Sequence, residues 1–221
     1  MAGSVKHARA TLLRGGALLA GAIVLCWIFP PVRIKRLPAA GTSAPAASSA
    51  FDPATAARQF WRERLLPAAD QAADLARVVQ AIRENPGAAR QSFGKAAGVG
   101  SHYLFVRGSG RVIERERNVL RLAVDGAPHE VVELRIGPVF GNTVRDGSGL
   151  LDVNRFPGLQ EFNALAAELN ALVEQQVLPA LRQKAKVGAT IRFAGCAEAP
   201  ETADDPGEPL FLIVPVQAEV P

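Results

Sequence analysis

From Tyr103 onward the spacing of apolar residues changes from a helical to an alternating period, and this change constrains the fold most. Tyr103 to Glu114 predicts one strand, with Gly108 and Gly110 marking a bulge or strong bend. Leu120, Leu122 and Val124 make the inner face of a second, which Asp125-Gly126 turns into a third carrying Val132, Leu134 and Ile136. Gly137-Pro138 closes that strand, and Gly141 to Arg155 reads as a long glycine-bearing loop. Leu159, Phe162, Leu165, Ala166, Leu169, Leu172 and Val173 then recur as the stripe of a long helix, bent at Pro179 and resumed at Leu181. Thr190 to Cys196 and Leu210 to Glu219 predict two last strands around the acidic loop Glu198 to Glu208. Five strands with a helix between the third and fourth is the order of an OB-like (oligonucleotide/oligosaccharide-binding) barrel over residues 101–221. An open sheet is the alternative; either way the class is α+β.

Residues 51–100 read as a helical segment packed on that barrel. Asp52 caps a helix with Pro53 in its first turn. Phe60, Trp61, Leu65 and Leu66 line that helix, and Pro67 is expected to kink or divide it. Leu75, Val78, Val79 and Ile82 share one face of a second helix, which Asn85-Pro86-Gly87 ends. Residues 38–50 hold only Ala, Ser, Pro, Gly and Thr, too little to bury, so they predict a tether.

Charge separates residues 1–37 from the rest. Six basic residues and no acidic one precede Leu37, whereas the remainder carries 19 basic and 21 acidic residues, a net of −2. Gly15 to Val32 is free of charge, and its apolar core through Phe29 is near the lower limit of about 20 residues for a membrane span. Pro30 and Pro31 stop it, and no small residues suited to a signal peptidase follow closely. The expectation is an uncleaved single-pass anchor through residues 15–29 in the inner membrane, with the body in the periplasm. A cleaved signal peptide and lipidation at Cys26 are the alternatives; the large Leu25 before Cys26 counts against the second.

The body has few groups for chemistry. His102, His129 and Cys196 lack the spacing of a metal site, no phosphate-cradling glycine loop stands between strand and helix, and no GxSxG elbow occurs. No catalytic residue, metal or cofactor is therefore assigned. A net acidic body with few strand aromatics also argues against nucleic acid. The segment Gly137 to Gly147 is the strongest candidate for ligand or partner contact, through Asn142, Thr143, Arg145 and Asp146. The competing expectation is structural, with Asp146 accepting nearby backbone N–H bonds and Arg145 lying over the barrel rim or reaching solvent.

Several stretches together resemble one group of bacterial exported proteins. They are Phe60-Trp61 with Leu65-Leu66-Pro67, Tyr103-x-Phe105 with Gly108-x-Gly110, and Ile136-Gly137-Pro138-Val139 through Arg145-Asp146. Leu169-Asn170 and Gly188-x-x-Ile191-x-Phe193-x-Gly195 complete the set. The group is the predicted periplasmic lipoprotein family with the domain of unknown function numbered 2291. The resemblance runs from about Phe51 to the C-terminus; Leu25 departs from the lipoprotein signal common in the family. It implies a place outside the inner membrane, company with sugar-type ABC transporter components, and no enzyme activity. Two functional readings follow. The first is a non-catalytic, membrane-tethered binding or accessory module that contacts transporter components or a small carbohydrate. The second is a periplasmic hydrolase built on the Arg145-Asp146 loop, with Asp146 or Asp152 acting beside His102.

Overall fold

The computed structural model describes residues 51–97, 100–203 and 208–221. The expected anchor at 15–29, the tether and Cys26 lie outside the described residues. No helix among the described residues is long and apolar enough to cross a membrane. Residues from Ser49 to Pro221 make one compact unit.

Five strands form its frame: β3 (Ser101–Arg115), β4 (Val119–Val124), β5 (Ala127–Arg135), β6 (Thr190–Glu198) and β7 (Leu212–Glu219). β3 pairs antiparallel with β4, and β4 with β5; β5 runs parallel to β7, which pairs antiparallel with β6. β6 returns antiparallel to β3 along nine residue pairs, so the sheet is a ring without a free end at these five strands. Two short strands, β1 (Ala73–Asp74) and β2 (Lys95–Ala97), add to β3. They fall inside the segment expected to be helical, because each is too short to show an alternating pattern.

The inner face holds the expected apolar set, with Leu120, Leu122, Val132, Leu134 and Ile213 completely buried. The bulge in β3 lies between Val112 and Glu114, not at the glycines. Gly108 and Gly110 serve close approach instead. A Cβ on Gly108 would stand 2.7 Å from Leu75 Cβ, and one on Gly110 2.7 Å from the Ala123 carbonyl oxygen.

Helix α1 (Pro53–Phe60) starts at Asp52, whose Oδ1 accepts the Ala54 N–H at 3.1 Å. Pro67 does not divide it. The helix widens into a π turn at Trp61–Leu65, where the Leu66 N–H reaches back to the Trp61 carbonyl, and one further turn follows over Leu66–Ala68. The long helix does the same: α5 (Leu159–Leu172) passes through a π turn at Val173–Val177 into α6 (Leu178–Lys184), which carries Pro179. A proline ring presses on the carbonyl four residues back. One extra residue in the preceding turn relieves that clash without breaking the helix. Helices α2 (Leu75–Glu84) and α3 (Pro86–Phe93) meet at Asn85, which ends the first and caps the second through its side chain. α1 packs on α5, α2 on β3 and β5, and their apolar faces join the ring's interior in one core. Leu159 departs from the expected stripe and is 68% exposed.

Candidate functional site

The segment singled out by its composition leaves β5 at Gly137, where Ile136 and Gly137 N–H groups both donate to the Asn118 carbonyl. α5 and the π turn that follows it hold the segment from the other side. Glu174 accepts the Val139 N–H at 2.7 Å, and Asn170 donates to the Gly141 carbonyl at 3.0 Å. Gly141 takes a φ of +80°, a conformation that favours glycine. The chain then makes one helical turn, α4 (Thr143–Gly147), where the sequence suggested only loop. Gly147 presses so closely on β6 that a Cβ there would collide with the Cys196 Cβ.

This turn buries Arg145. Its Nε and Nη2 donate to the two carboxylate oxygens of Asp146 at 2.7 and 2.8 Å, and Nη1 donates to Asn163 Oδ1 at 2.7 Å. The guanidinium also lies 4.0 Å over the ring of Phe162, which leans on Phe156. The two side chains are only 7% and 10% exposed. The expected roles are thus corrected: Asp146 satisfies a side chain rather than backbone N–H groups, and Arg145 does not reach solvent. The pair forms between adjacent positions of a helical turn, where side chains do not ordinarily face each other. Burial first, and the Asp146 carboxylate second, push the Cys196 thiol far above its usual range. Burial, then Glu198 and Asp146, raise the Tyr103 hydroxyl.

The remaining sequence candidates disperse. Asn142 is exposed and makes no capping bond, while Thr143 lines a groove with Arg135, Phe140, Glu198 and Phe211. Phe140 stands between this groove and another bordered by Asn142 and Asn163, and is 81% exposed. Asp146 and Asp152 border one depression beside Lys95, but His102 does not line it. Asp152 is engaged with the backbone and side chain of Asn154. His102 Nδ1 is buried without a hydrogen-bond partner among the described residues. No group of three or more His, Cys, Asp or Glu among the described residues is placed to hold a metal ion.

A second arrangement escapes sequence reading altogether. On the outer face of β3, β6 and β7 the register sets Arg107 opposite Ala194 and Ala194 opposite Gln217. One step along, Ser109 faces Arg192, and Arg192 faces Glu219. Cross-strand partners share a face, so these six side chains form a two-by-three grid. Small Ala194 leaves its centre low. Asp70, Asp74 and Asp125 border the resulting groove of about 420 Å³. Asp74 is used by the Arg77 N–H and Asp125 by the Ser109 hydroxyl. The side chains of Arg107, Arg192, Gln217, Glu219 and Asp70 have no hydrogen bond or ion pair among the described residues.

Comparison with known proteins agrees with the architecture. A solved OB-fold protein from Thermotoga maritima is similar, with 26% identity over 77% of this chain and 99% of that one, at a TM-score of 0.65. No curated protein matches significantly. The model of the family described as predicted periplasmic lipoprotein (DUF2291) matches residues 22–219, nearly the whole chain, and the protein therefore belongs to that family.

Proposed function

We propose that the protein is a non-catalytic binding module of the periplasm, held at the inner membrane through residues 15–29, and that it serves a sugar-type ABC transporter. Its strand ring is read as an OB-type barrel, and its ligand as a small carbohydrate in the outer-face groove. The observation that carries this reading is the grid of uncommitted planar groups: Arg107, Arg192, Gln217 and Glu219, with Asp70 at the border. Planar forks of donors and acceptors suit the neighbouring hydroxyls of a sugar. A volume of about 420 Å³ suits a small ligand. Phe140, exposed between two grooves, is the proposed contact for a transporter component, since exposed aromatic anchors mark interfaces. Asp146, saturated by Arg145, and Asp152, occupied by Asn154, lend the hydrolase reading no support.

Full-length protein titrated with monosaccharides and disaccharides is expected to melt at a higher temperature with its cognate sugar, because a ligand of the native state stabilises it. Replacing Arg107 and Arg192 together with Gln should weaken that binding roughly 10- to 100-fold, the loss of one or two charge-assisted hydrogen bonds. The free protein should change by no more than about 0.5 kcal/mol, as both side chains are exposed. A panel of sugars that leaves the melting temperature unmoved would count against the carbohydrate. In the same way, Phe140→Ala should leave stability unchanged and weaken capture of the transporter component. Intact capture would move the interface elsewhere.

A further inference from the structure

The connection from α6 to β6 ends in a tight turn. The Ala189 N–H donates to the Lys186 carbonyl at 2.9 Å and Gly188 takes a φ of +89°, so Val187 occupies the outer corner of a glycine-requiring β-turn. Val187 is 64% exposed. Two bonds lash the turn to β3: Gly188 N–H to the Val112 carbonyl at 2.8 Å, and Val112 N–H to the Ala189 carbonyl at 2.9 Å. Beside Val112, at the bulge, Ile113 is 46% exposed. Two aliphatic side chains therefore crown one end of the molecule.

The charges around them are sorted by sign. Lys184 and Lys186 precede Val187, and Arg111 and Arg117 bracket Ile113 along the chain; all four are exposed. None of the four side chains has a hydrogen bond or ion pair among the described residues. The carboxylates of the same end are collected elsewhere: Arg121 draws in Glu114 at 3.2 Å and Glu116 and Glu133 at 3.6 Å each. Arg115 bonds the Ala185 and Arg182 carbonyls, closing the C-terminal end of α6 while keeping its positive charge. A run of three bases and two acids, Arg111 to Arg117, is thus divided by the fold. Its acids face Arg121, while the Arg111 and Arg117 side chains stay unpaired on either side of Ile113 along the chain, on a body of net −2.

We propose that this end docks on anionic phospholipid headgroups, with Val187 and Ile113 entering the headgroup–acyl boundary. Lys184, Lys186, Arg111 and Arg117 meet the lipid phosphates. Basic side chains around a small apolar tip are the chemistry of reversible attachment to an anionic bilayer surface, where each component alone is weak. The surface is distinct from the polar groove and does not depend on its ligand.

The test uses full-length protein in nanodiscs of phosphatidylcholine, with or without a third of phosphatidylglycerol, followed by amide hydrogen exchange. The peptides spanning 184–189 and 111–117 are expected to exchange at least fivefold more slowly in the anionic discs. The protection should vanish in 0.5 M salt and in Lys184→Glu/Lys186→Glu, whose melting curve stays that of the parent. Val187→Asp should reduce it as well, separating insertion from charge alone. Equal exchange in both discs would overturn the proposal, as would protection that survives the double charge reversal. Protection by dextran sulfate in neutral discs but not by anionic lipid would also overturn it, assigning the surface to a soluble polyanion.

Discussion

Asp146→Ala is expected to lower stability by about 3–5 kcal/mol, the cost of leaving the buried Arg145 guanidinium without its carboxylate. The magnitude follows from burial. Solvent cannot rescue a side chain that is 7% exposed, and its remaining partners are Asn163 Oδ1 and the face of Phe162. The converse change, Arg145→Ala, exposes the same dependence from the carboxylate's side. The double variant should be less harmful than the sum of the two, because neither charge is then left alone. Urea denaturation of the three variants checks this. Additive losses would mean that the fork at 2.7 and 2.8 Å carries no coupling. A domain of ordinary stability has only about 5–15 kcal/mol in total, so the single variants sit near the limit of folding.

Trp61→Ala should cost about 3–5 kcal/mol as well, by a different mechanism. Trp61 is the largest side chain of the helical face that covers the ring, fully buried beside Leu65 and Phe60. It also opens the π turn, and its carbonyl receives the Leu66 N–H. Removing the indole leaves a cavity between rigid neighbours, since the widened turn is pinned by Pro67 just beyond it. The denaturation midpoint should fall while the slope with urea stays that of the parent, the mark of lost packing in an otherwise intact native state. A loss below about 1 kcal/mol would show that the helix can collapse onto the gap.

Strand and helix identities were legible because burial on one face writes itself into sequence period: Leu120, Leu122 and Val124 alternate, and Leu75, Val78, Val79 and Ile82 recur as a helix must. The π turns were not legible. Proline announces a helix disturbance, but whether the chain breaks or inserts one residue is decided by what the following turn packs against, here Leu178 and Leu181 in the core. The turn at Thr143–Gly147 was hidden because Gly141 just before it and Gly147 at its end give the stretch a loop's composition, while Arg145 at its centre looks like a solvent residue. The polar groove lay furthest from view. Arg107, Arg192 and Gln217 meet only through the β3–β6 and β6–β7 registers, and no period within one strand specifies the register to a strand far along the chain.

The Arg145–Asp146 turn holds the fold, whereas the outer-face grid is proposed to hold a ligand, and one crossed measurement tests that division most directly. Melting temperatures of Asp146→Ala and of Arg107→Gln/Arg192→Gln are recorded with and without the sugar that stabilises the parent. The division predicts that Asp146→Ala melts much lower yet keeps the full sugar-induced rise, while the arginine variant melts like the parent and loses that rise. An Asp146→Ala protein of unchanged stability that no longer responds to sugar, beside an arginine variant that still does, would contradict it.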